Sequence, residues 1–191
     1  MKGLLAFSRA VDGLNERIGH LVYWMVLAMV LVSAGNATSR YALSIASNAW
    51  LELQWYLFAA VFLLCSGYTL LHNEHIRIDV VSSRFSRRTQ MWIDVFGLVF
   101  FLLPMSSFIL WLSWPAFVNA WTSGEISGNA GGLIRWPARA LVPAGFFLLT
   151  IQGLSELVKR AAYLKGLIAD PVEEHEEPAL ELMHLEGDEK K

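Results

Sequence analysis

The sequence predicts an all-α integral membrane protein with four transmembrane helices, both termini in the cytoplasm and an N-terminal amphipathic helix at the membrane surface. The 191 residues are 55% hydrophobic and 17% charged, whereas an average soluble domain is about 25% charged. Four segments reach the roughly 20 apolar residues needed to cross a bilayer. Lysine and arginine are concentrated in alternate connections, as expected when those connections are the cytoplasmic ones.

Residues 1–17 are predicted to form the amphipathic helix, because apolar side chains recur there at spacings of three and four. The other side of this helix is charged. Such a helix would lie along the inner membrane surface, or its apolar stripe would pack on a partner helix, and the spacing favours neither. The stripe consists of Leu4, Phe7, Val11, Leu14 and Ile18.

The four-helix transmembrane domain is predicted to cover residues 18–165. Its spans are expected at about 18–38, 50–71, 91–114 and 140–158. No Asp, Glu, Lys, Arg or His occurs within 21–35, 53–71, 95–118 or 140–155. The centres of all four spans are therefore free of charge, which is what hydrocarbon requires.

The orientation follows from the basic residues of the connections. Ten lysines and arginines lie in the N-terminus, in the connection at 72–90 and just after the fourth span, against three in the other two connections. Both termini are thus predicted to be cytoplasmic. Residues 166–191 form an acidic tail, with nine of the chain's seventeen acidic residues at positions 170–191, and such a composition predicts disorder.

Several tryptophans fall toward the outer face of this topology. They indicate either an aromatic belt at the headgroups or a docking surface for a protein outside the membrane. The candidates for these roles are Trp50, Trp111, Trp114, Trp121 and Trp136.

The sequence offers no candidate catalytic, metal-binding or cofactor-binding residues of its own. No nucleophile is accompanied by a base and an orienting acid, and no zinc-protease motif occurs. The alternative is a haem-bearing or quinone-linked anchor of a respiratory enzyme, in which His20, His72 and His75 near the inner edge would be ligands. These histidines lie at helix edges, and the spans contain no charged relay. The chain is therefore interpreted as a support rather than a conduit or an enzyme.

Two segments resemble the DctQ-type small membrane subunit of tripartite ATP-independent periplasmic (TRAP) transporters. The segment "WLELQWYLFAAVFLLCSGYTLLHNEHIRIDVV" at 50–81 is similar to the family's second span and the connection after it. The segment "RWPARALVPAGFFLLTIQGLSELVKR" at 135–160 is similar to the fourth span. Candidate residues of the family pattern or of a partner interface are Glu52, Gln54, Ser66, Gly67, His75, Arg77, Asp79, Pro143, Gly145 and Gln152.

This resemblance implies a non-enzymatic subunit of a bacterial or archaeal inner membrane, with no cofactor and no nucleic-acid partner. The implied partners are a large transmembrane subunit, a periplasmic binding protein and the lipid bilayer. The large subunit would carry the substrate and sodium sites, and the expected function is to brace it during uptake of an organic acid. Small residues such as Gly67 would allow close contact with it.

Overall fold

The computed structural model describes residues 2–44, 47–72 and 85–168. Most of these residues lie in five α-helices. They form four helical stretches that are long and apolar enough to cross a membrane, which confirms the predicted all-α, four-span architecture. The helices are α1 (Lys2–Leu43), α2 (Asn48–Leu71), α3 (Arg87–Gly97), α4 (Leu103–Ser123) and α5 (Trp136–Leu164). We name the two ends of the bundle inner and outer, following the predicted orientation.

The third span consists of α3, a π-helical turn at Leu98–Leu102, and α4. In this turn the amide of Leu103 donates to the carbonyl of Leu98. The wide turn comes directly before Pro104, which cannot donate a backbone hydrogen bond and whose ring clashes with the carbonyl four residues earlier in a regular helix. The sequence therefore explains why the irregularity lies at this position.

Helix α5 is the centre of the bundle, since it packs on α1, α2 and the third span. Glycines allow two of these close approaches. A Cβ atom at Gly145 would lie 2.6 Å from the carbonyl oxygen of Leu63 in α2, and one at Gly153 would lie 2.7 Å from a methyl group of Leu102. The α1–α2 contact also uses glycines, since Gly19 faces Tyr68 and Gly67 faces Asn15.

The helix predicted for residues 1–17 is present, but it is continuous with the first span. Helix α1 runs without a break from Lys2 to Leu43, so the predicted boundary at residue 17 has no counterpart in the secondary structure. The side of α1 that faces the bundle there buries Ser8, Val11 and Asn15, whereas Leu4, Phe7 and Leu14 of the predicted stripe are exposed. What the exposed apolar side contacts in the membrane remains a prediction.

The outer connection between α4 and α5 forms a small hairpin. Ile126 and Ile134 pair as an antiparallel bridge, and the amide of Arg135 donates to the carbonyl of Glu125 at 2.9 Å. Gly124 and Gly131 have positive φ angles of 61° and 70°, a conformation that glycine adopts without a steric penalty. The glycines thus shape the turn.

Polar side chains are buried in this bundle while large apolar ones are exposed. Asn15, Gln152 and Arg160 are at most 1% exposed, whereas Trp24 and Trp111 are both 70% exposed. In water this distribution would be unfavourable, but within hydrocarbon the apolar side chains face lipid and the polar groups must find partners inside the protein. The inside of the bundle is therefore where its specific contacts lie.

Candidate functional site

Polar side chains from three helices meet at the inner end of the bundle. We call this group the inner network. It connects α5 to α1 on one side and to α3 on the other, and most of its members lie one helical turn apart along α1 or α5. Its members are Ser8, Asp12, Asn15, Asp94, Gln152, Ser155, Glu156, Lys159 and Arg160.

Gln152 connects α5 to α1 at the level of Asn15. Its Oε1 accepts a hydrogen bond from Asn15 Nδ2 at 2.8 Å, and its Nε2 donates to Asp12 Oδ1 at 2.9 Å. One turn further along α5, the Ser155 hydroxyl donates to the same Asp12 oxygen at 2.8 Å and lies 2.6 Å from the Ser8 hydroxyl. These contacts hold the N-terminal part of α1 against α5.

Ion pairs continue the network toward the inner surface. Lys159 Nζ lies 3.2 Å from Asp12 Oδ2 and also contacts Glu156. On the other side of α5, the Arg160 guanidinium pairs with Glu156, and its Nε donates to Asp94 Oδ2 at 3.2 Å. The Glu156 and Arg160 side chains are 3% and 2% exposed, so each charge depends on its partner for solvation.

Of the three histidines proposed as haem ligands, His20 and His72 contact Glu16, and His75 lies outside the described residues. His72 Nε2 lies 2.8 Å from the Glu16 carboxylate, and the His72 ring packs on Tyr68 with centroids 4.3 Å apart. His20 Nδ1 lies 2.8 Å from the backbone oxygen of Glu16. Within residues 2–44, 47–72 and 85–168, no three His, Cys, Asp or Glu side chains are grouped as a metal site would require.

A second polar cluster, the outer clasp, forms around Glu52 at the opposite end. The Glu52 carboxylate is 5% exposed. It accepts hydrogen bonds from the Ser127 hydroxyl, from Asn129 Nδ2 at 2.7 Å and from the backbone amide of Leu133 at 2.7 Å. One side chain near the start of α2 therefore binds three residues of the outer hairpin. Charge-assisted hydrogen bonds of this kind are among the stronger ones in proteins.

The hairpin is also held by a more exposed carboxylate. Glu125 Oε1 lies 3.2 Å from Arg135 Nη1 and 2.8 Å from Arg139 Nη2. These side chains are between 29% and 46% exposed. Exposed ion pairs contribute little to stability, so Glu52 is the main anchor of the hairpin.

The candidate tryptophans lie on the surface of the outer half. Trp50, Trp111, Trp114 and Trp121 are exposed by about half or more, and Trp121 stacks edge-on against Trp136 with centroids 4.5 Å apart. Trp111 and Trp114 line an apolar groove of about 780 Å³ between α4 and α5. Its other lining residues are Ser107, Leu110, Phe117, Ala140, Pro143, Ala144 and Phe147.

The remaining candidates are distributed over internal contacts and the α1–α2 surface. Gln54 lines a shallow groove between α1 and α2. Ser66 donates to the Leu63 carbonyl at 2.7 Å, in the region where Gly145 meets α2. Gly67 is buried against Asn15 of the same chain, so its small size serves contact within the subunit. His75, Arg77 and Asp79 lie outside the described residues.

Of the inner network, Gln152 alone was among the predicted site residues, and the sequence reasoning missed Ser8, Asp12, Asn15, Asp94, Ser155, Glu156, Lys159 and Arg160. A signal for them exists in the sequence. Polar residues recur at 152, 155, 156 and 159, and at 8, 12 and 15, which places each set on one face of a helix. That pattern identifies two polar helix faces, but it does not show that these faces pack against each other.

The comparison with protein-family models matches the DctQ component of tripartite ATP-independent periplasmic transporters over residues 29–162. No curated protein and no solved structure matches the chain. The matched region contains α2 to α4, most of α5 and both Glu52 and Gln152. The match does not favour the alternative of a respiratory haem anchor. The chain therefore belongs to the DctQ component family of the TRAP transporters, and it is a transport protein of the inner membrane.

Proposed function

We propose that this chain is the small subunit that braces the large transport subunit of a sodium-coupled TRAP transporter, which takes up an organic acid delivered by a periplasmic binding protein. One observation carries this proposal: the interior polar groups join the chain's own helices. In the part of the chain that the structure describes, Asn15 Oδ1 is the sole buried side-chain oxygen or nitrogen without a hydrogen-bond partner.

The middle of the bundle supports a bracing role rather than a transport path. Solutes and ions cross hydrocarbon by way of polar or ionisable groups that face an interior path. Between the outer clasp and the inner network, the polar side chains satisfy neighbouring groups: Thr150 donates to Ser106 at 3.0 Å, and Ser66 donates to a backbone carbonyl. The large subunit would therefore supply the substrate and sodium sites.

We propose the groove between α4 and α5 as the surface that contacts the large subunit. It is concave and almost entirely apolar, and it combines Trp111 and Trp114 with the small residues Ala140 and Ala144 one turn apart on α5. Small residues allow a neighbouring helix to approach closely in a membrane, and tryptophan is enriched among residues that dominate binding energy. Both features suit a helix of the partner.

We propose that the outer hairpin adds to the surface on which the periplasmic binding protein docks. The hairpin projects from the outer end of the bundle, and its Ile126 and Ile134 side chains are 63% and 49% exposed. Glu52 fixes the hairpin from below through three hydrogen bonds. A fixed apolar surface binds with a smaller ordering cost than a mobile one.

The proposed function is tested by isolating the tagged chain from its native membrane in mild detergent and identifying its partners by mass spectrometry. We expect a large multi-span protein in equal amount and an absorption spectrum without a haem band. The purified complex, reconstituted in vesicles with the binding protein, should accumulate a labelled organic acid only with an inward sodium gradient.

Two results would contradict the proposal. Recovery of a redox enzyme together with a haem band would favour the respiratory anchor. Full uptake by the large subunit reconstituted without this chain would show that bracing is not needed. A sodium-independent uptake that still requires the chain would leave the bracing role intact and refute only the sodium coupling.

A further inference from the structure

We propose that the acidic C-terminal segment of this chain, residues 169–191, docks on the exposed face of the inner end of α1. This inference goes beyond the proposed transport function and does not depend on it. We call the surface the α1 inner face. It consists of Lys2, Phe7, Arg9, Ala10, Leu14 and Arg17, all exposed, and its N-terminal edge is Leu4, which is also exposed and comes one turn before the buried Ser8.

The α1 inner face is open in the described structure. Leu4, Phe7 and Leu14 are 51%, 43% and 42% exposed. No atom of the described chain lies within 4 Å of the position that a Cβ atom would occupy at Gly3 or Gly13, on the same part of the helix. A set of exposed apolar side chains with basic neighbours is typical of a surface that something else covers.

Hydrocarbon does not reach all of this face. The hydrogen bond between Asn15 and Gln152 places Asn15 at the depth of Gln152, which is about 24 Å along α5 from Trp136. Phe7 lies about 12 Å further along α1, so it is about 36 Å from the outer end of α5, beyond a hydrocarbon core roughly 30 Å thick. Leu4 lies further still. Their cover must therefore come from protein or from the headgroup layer.

The charges of the face match those of the tail. Among residues 2–44, 47–72 and 85–168, no carboxylate forms an ion pair with Lys2, Arg9 or Arg17. The segment at 170–191 has nine acidic residues and two lysines. It also contains the apolar stretch "ALELMHL" at 179–185, so it offers both carboxylates and apolar side chains. The headgroup layer offers both chemistries to an interfacial helix, and protection that depends on lipid rather than on the tail would identify that layer as the cover.

The tail begins close to the helix that carries this face, on the side of α1 that packs on α5. The Ser8–Ser155 and Asp12–Lys159 contacts place the first turns of α1 beside the last turns of α5. Helix α5 ends at Leu164, and Gly166, with φ of 70°, turns the chain away from the helix axis as the amide of Leu167 donates to the carbonyl of Ala162 at 3.0 Å. From residue 168 to residue 179 an extended chain spans up to about 36 Å. That exceeds the length of the first four turns of α1, about 22 Å.

The experiment measures protection of the α1 inner face by the tail. In a Cys65→Ser background, Ala10→Cys places one thiol in the middle of the face, and the protein is held in nanodiscs of zwitterionic lipid that contain no anionic headgroups. A membrane-impermeant maleimide then labels the full chain and a version ending at residue 168. We expect labelling to be about tenfold slower with the tail. A tethered segment with a dissociation constant of roughly 0.1 mM and an effective concentration of about 1 mM would leave the face free for about a tenth of the time.

Two controls separate tail docking from other effects. Arg88→Cys places a thiol on the inner end of α3, away from α1, and should be labelled equally fast with and without the tail. Changing Glu173, Glu174, Glu176 and Glu177 together to Gln in the full chain should remove most of the protection at Ala10→Cys. A peptide of residues 169–191, added at millimolar concentration to the shortened protein, should restore it.

The inference is overturned if Ala10→Cys is labelled equally fast in the full and shortened proteins. It is also overturned if protection appears only with anionic lipid and is independent of the tail, because the cover is then the headgroup layer. A third result is that the peptide fails to restore protection while the shortened protein has an altered melting temperature. That combination would mean that truncation changed the fold, and it would also count against docking.

Discussion

Glu52 and Arg160 illustrate two ways in which single side chains organise the ends of this bundle. Glu52 accepts three hydrogen bonds from a hairpin that is distant in sequence. Arg160 lies between two carboxylates, Glu156 on its own helix and Asp94 on α3. Both residues are charged and nearly inaccessible to solvent, so each relies on these partners in place of water.

Replacing Glu52 by Ala should release the outer hairpin. The hydroxyl of Ser127, the amide of Asn129 and the backbone N–H of Leu133 would lose their acceptor. We expect several-fold faster cleavage of the hairpin by an added protease, read by mass spectrometry of the fragments. Glu125→Ala is the matched control, because it removes a carboxylate from the same hairpin but breaks only partly exposed ion pairs. Equal cleavage of the two variants would contradict the assignment of Glu52 as the main anchor.

Replacing Arg160 by Met should destabilise the inner end strongly. The substitution keeps most of the apolar stem but leaves Glu156 and Asp94 without this cation. Removing one partner of a buried ion pair costs about 3–5 kcal/mol when the other charge is left uncompensated, and the remaining contact of Glu156 with Lys159 places the expected loss toward the lower end. The measurement is thermal unfolding in detergent, with Arg88→Met, at an exposed position, as the control. A loss no larger than that of the control would show that Arg160 is solvated by water rather than by its partners.

At the scale of the helices, glycines decide how closely α5 approaches its neighbours. A Cβ atom at Gly145 would meet the backbone of Leu63, whereas one at Gly153 would meet the methyl groups of Leu102 and Leu103. Backbone atoms cannot move without shifting the helix, but leucine methyl groups can rotate away. The same substitution on the same helix therefore has two different expected outcomes.

Gly145→Ala should lower stability by about 1–3 kcal/mol, because overpacking forces α2 away from α5. Gly153→Ala should change stability by less than about 1 kcal/mol, since alanine favours the helix by a similar amount to the cost of moving the leucines. Thermal unfolding of both variants in the same detergent measures the difference. Similar losses for the two variants would show that the leucines at Gly153 are as fixed as the backbone at Gly145.

Gly67→Leu should separate α1 from α2 in the isolated chain, or unfold the chain altogether. A leucine side chain has no space there, because the carboxamide of Asn15 already occupies the position of a Cβ atom. Cross-linking between cysteines placed on α1 and α2, in the absence of any partner, reports the separation. If the Gly67→Leu chain is folded and has lost only its association with the large subunit, Gly67 belongs to the partner interface as the sequence predicted.

The sequence allowed the number and position of the spans to be predicted, because hydropathy detects any stretch that must face hydrocarbon. It did not reveal where the helices end. Helix α1 continues without a break through the predicted boundary at residue 17, and the third span extends from Arg87 to Ser123, because helical structure continues past the apolar region in polar residues that have good helix propensity or internal partners. Hydropathy does not register those residues.

The contacts between polar residues were beyond prediction for a different reason. Glu52 and Gln152 were recognisable as candidates, but their partners are 75 or more positions away in the sequence, at Ser127 and at Asn15. A helical period shows which residues share a face and not which helix that face meets. The glycine at 145 was likewise visible, while its contact with Leu63 depends on how α2 and α5 cross.

For the whole molecule, the groove between α4 and α5 gives the most direct test of how the subunit assembles. Trp111 in the groove and Trp24 on α1 are both 70% exposed, so each should be replaceable by Ala with little change in the stability of the isolated chain. We expect Trp111→Ala to weaken co-purification of the large subunit at least about tenfold, or 1.4 kcal/mol. Trp24→Ala should have no such effect, and the reverse result would move the interface to α1.

The outer clasp and the inner network tie the helices together at two levels separated by a middle that has only apolar packing and a few hydroxyl groups. The clasp joins α2 to the connection between α4 and α5, and the network joins α5 to α1 and α3, so sliding of these helices along one another would break hydrogen bonds or ion pairs at one of the two ends. The subunit therefore has a set hydrophobic thickness, and a thicker or thinner bilayer must adapt to it by stretching or compressing its lipid chains. In the proposed function, a large subunit that moves beside this chain would therefore work in a bilayer whose local thickness this chain sets on the side where the two subunits meet.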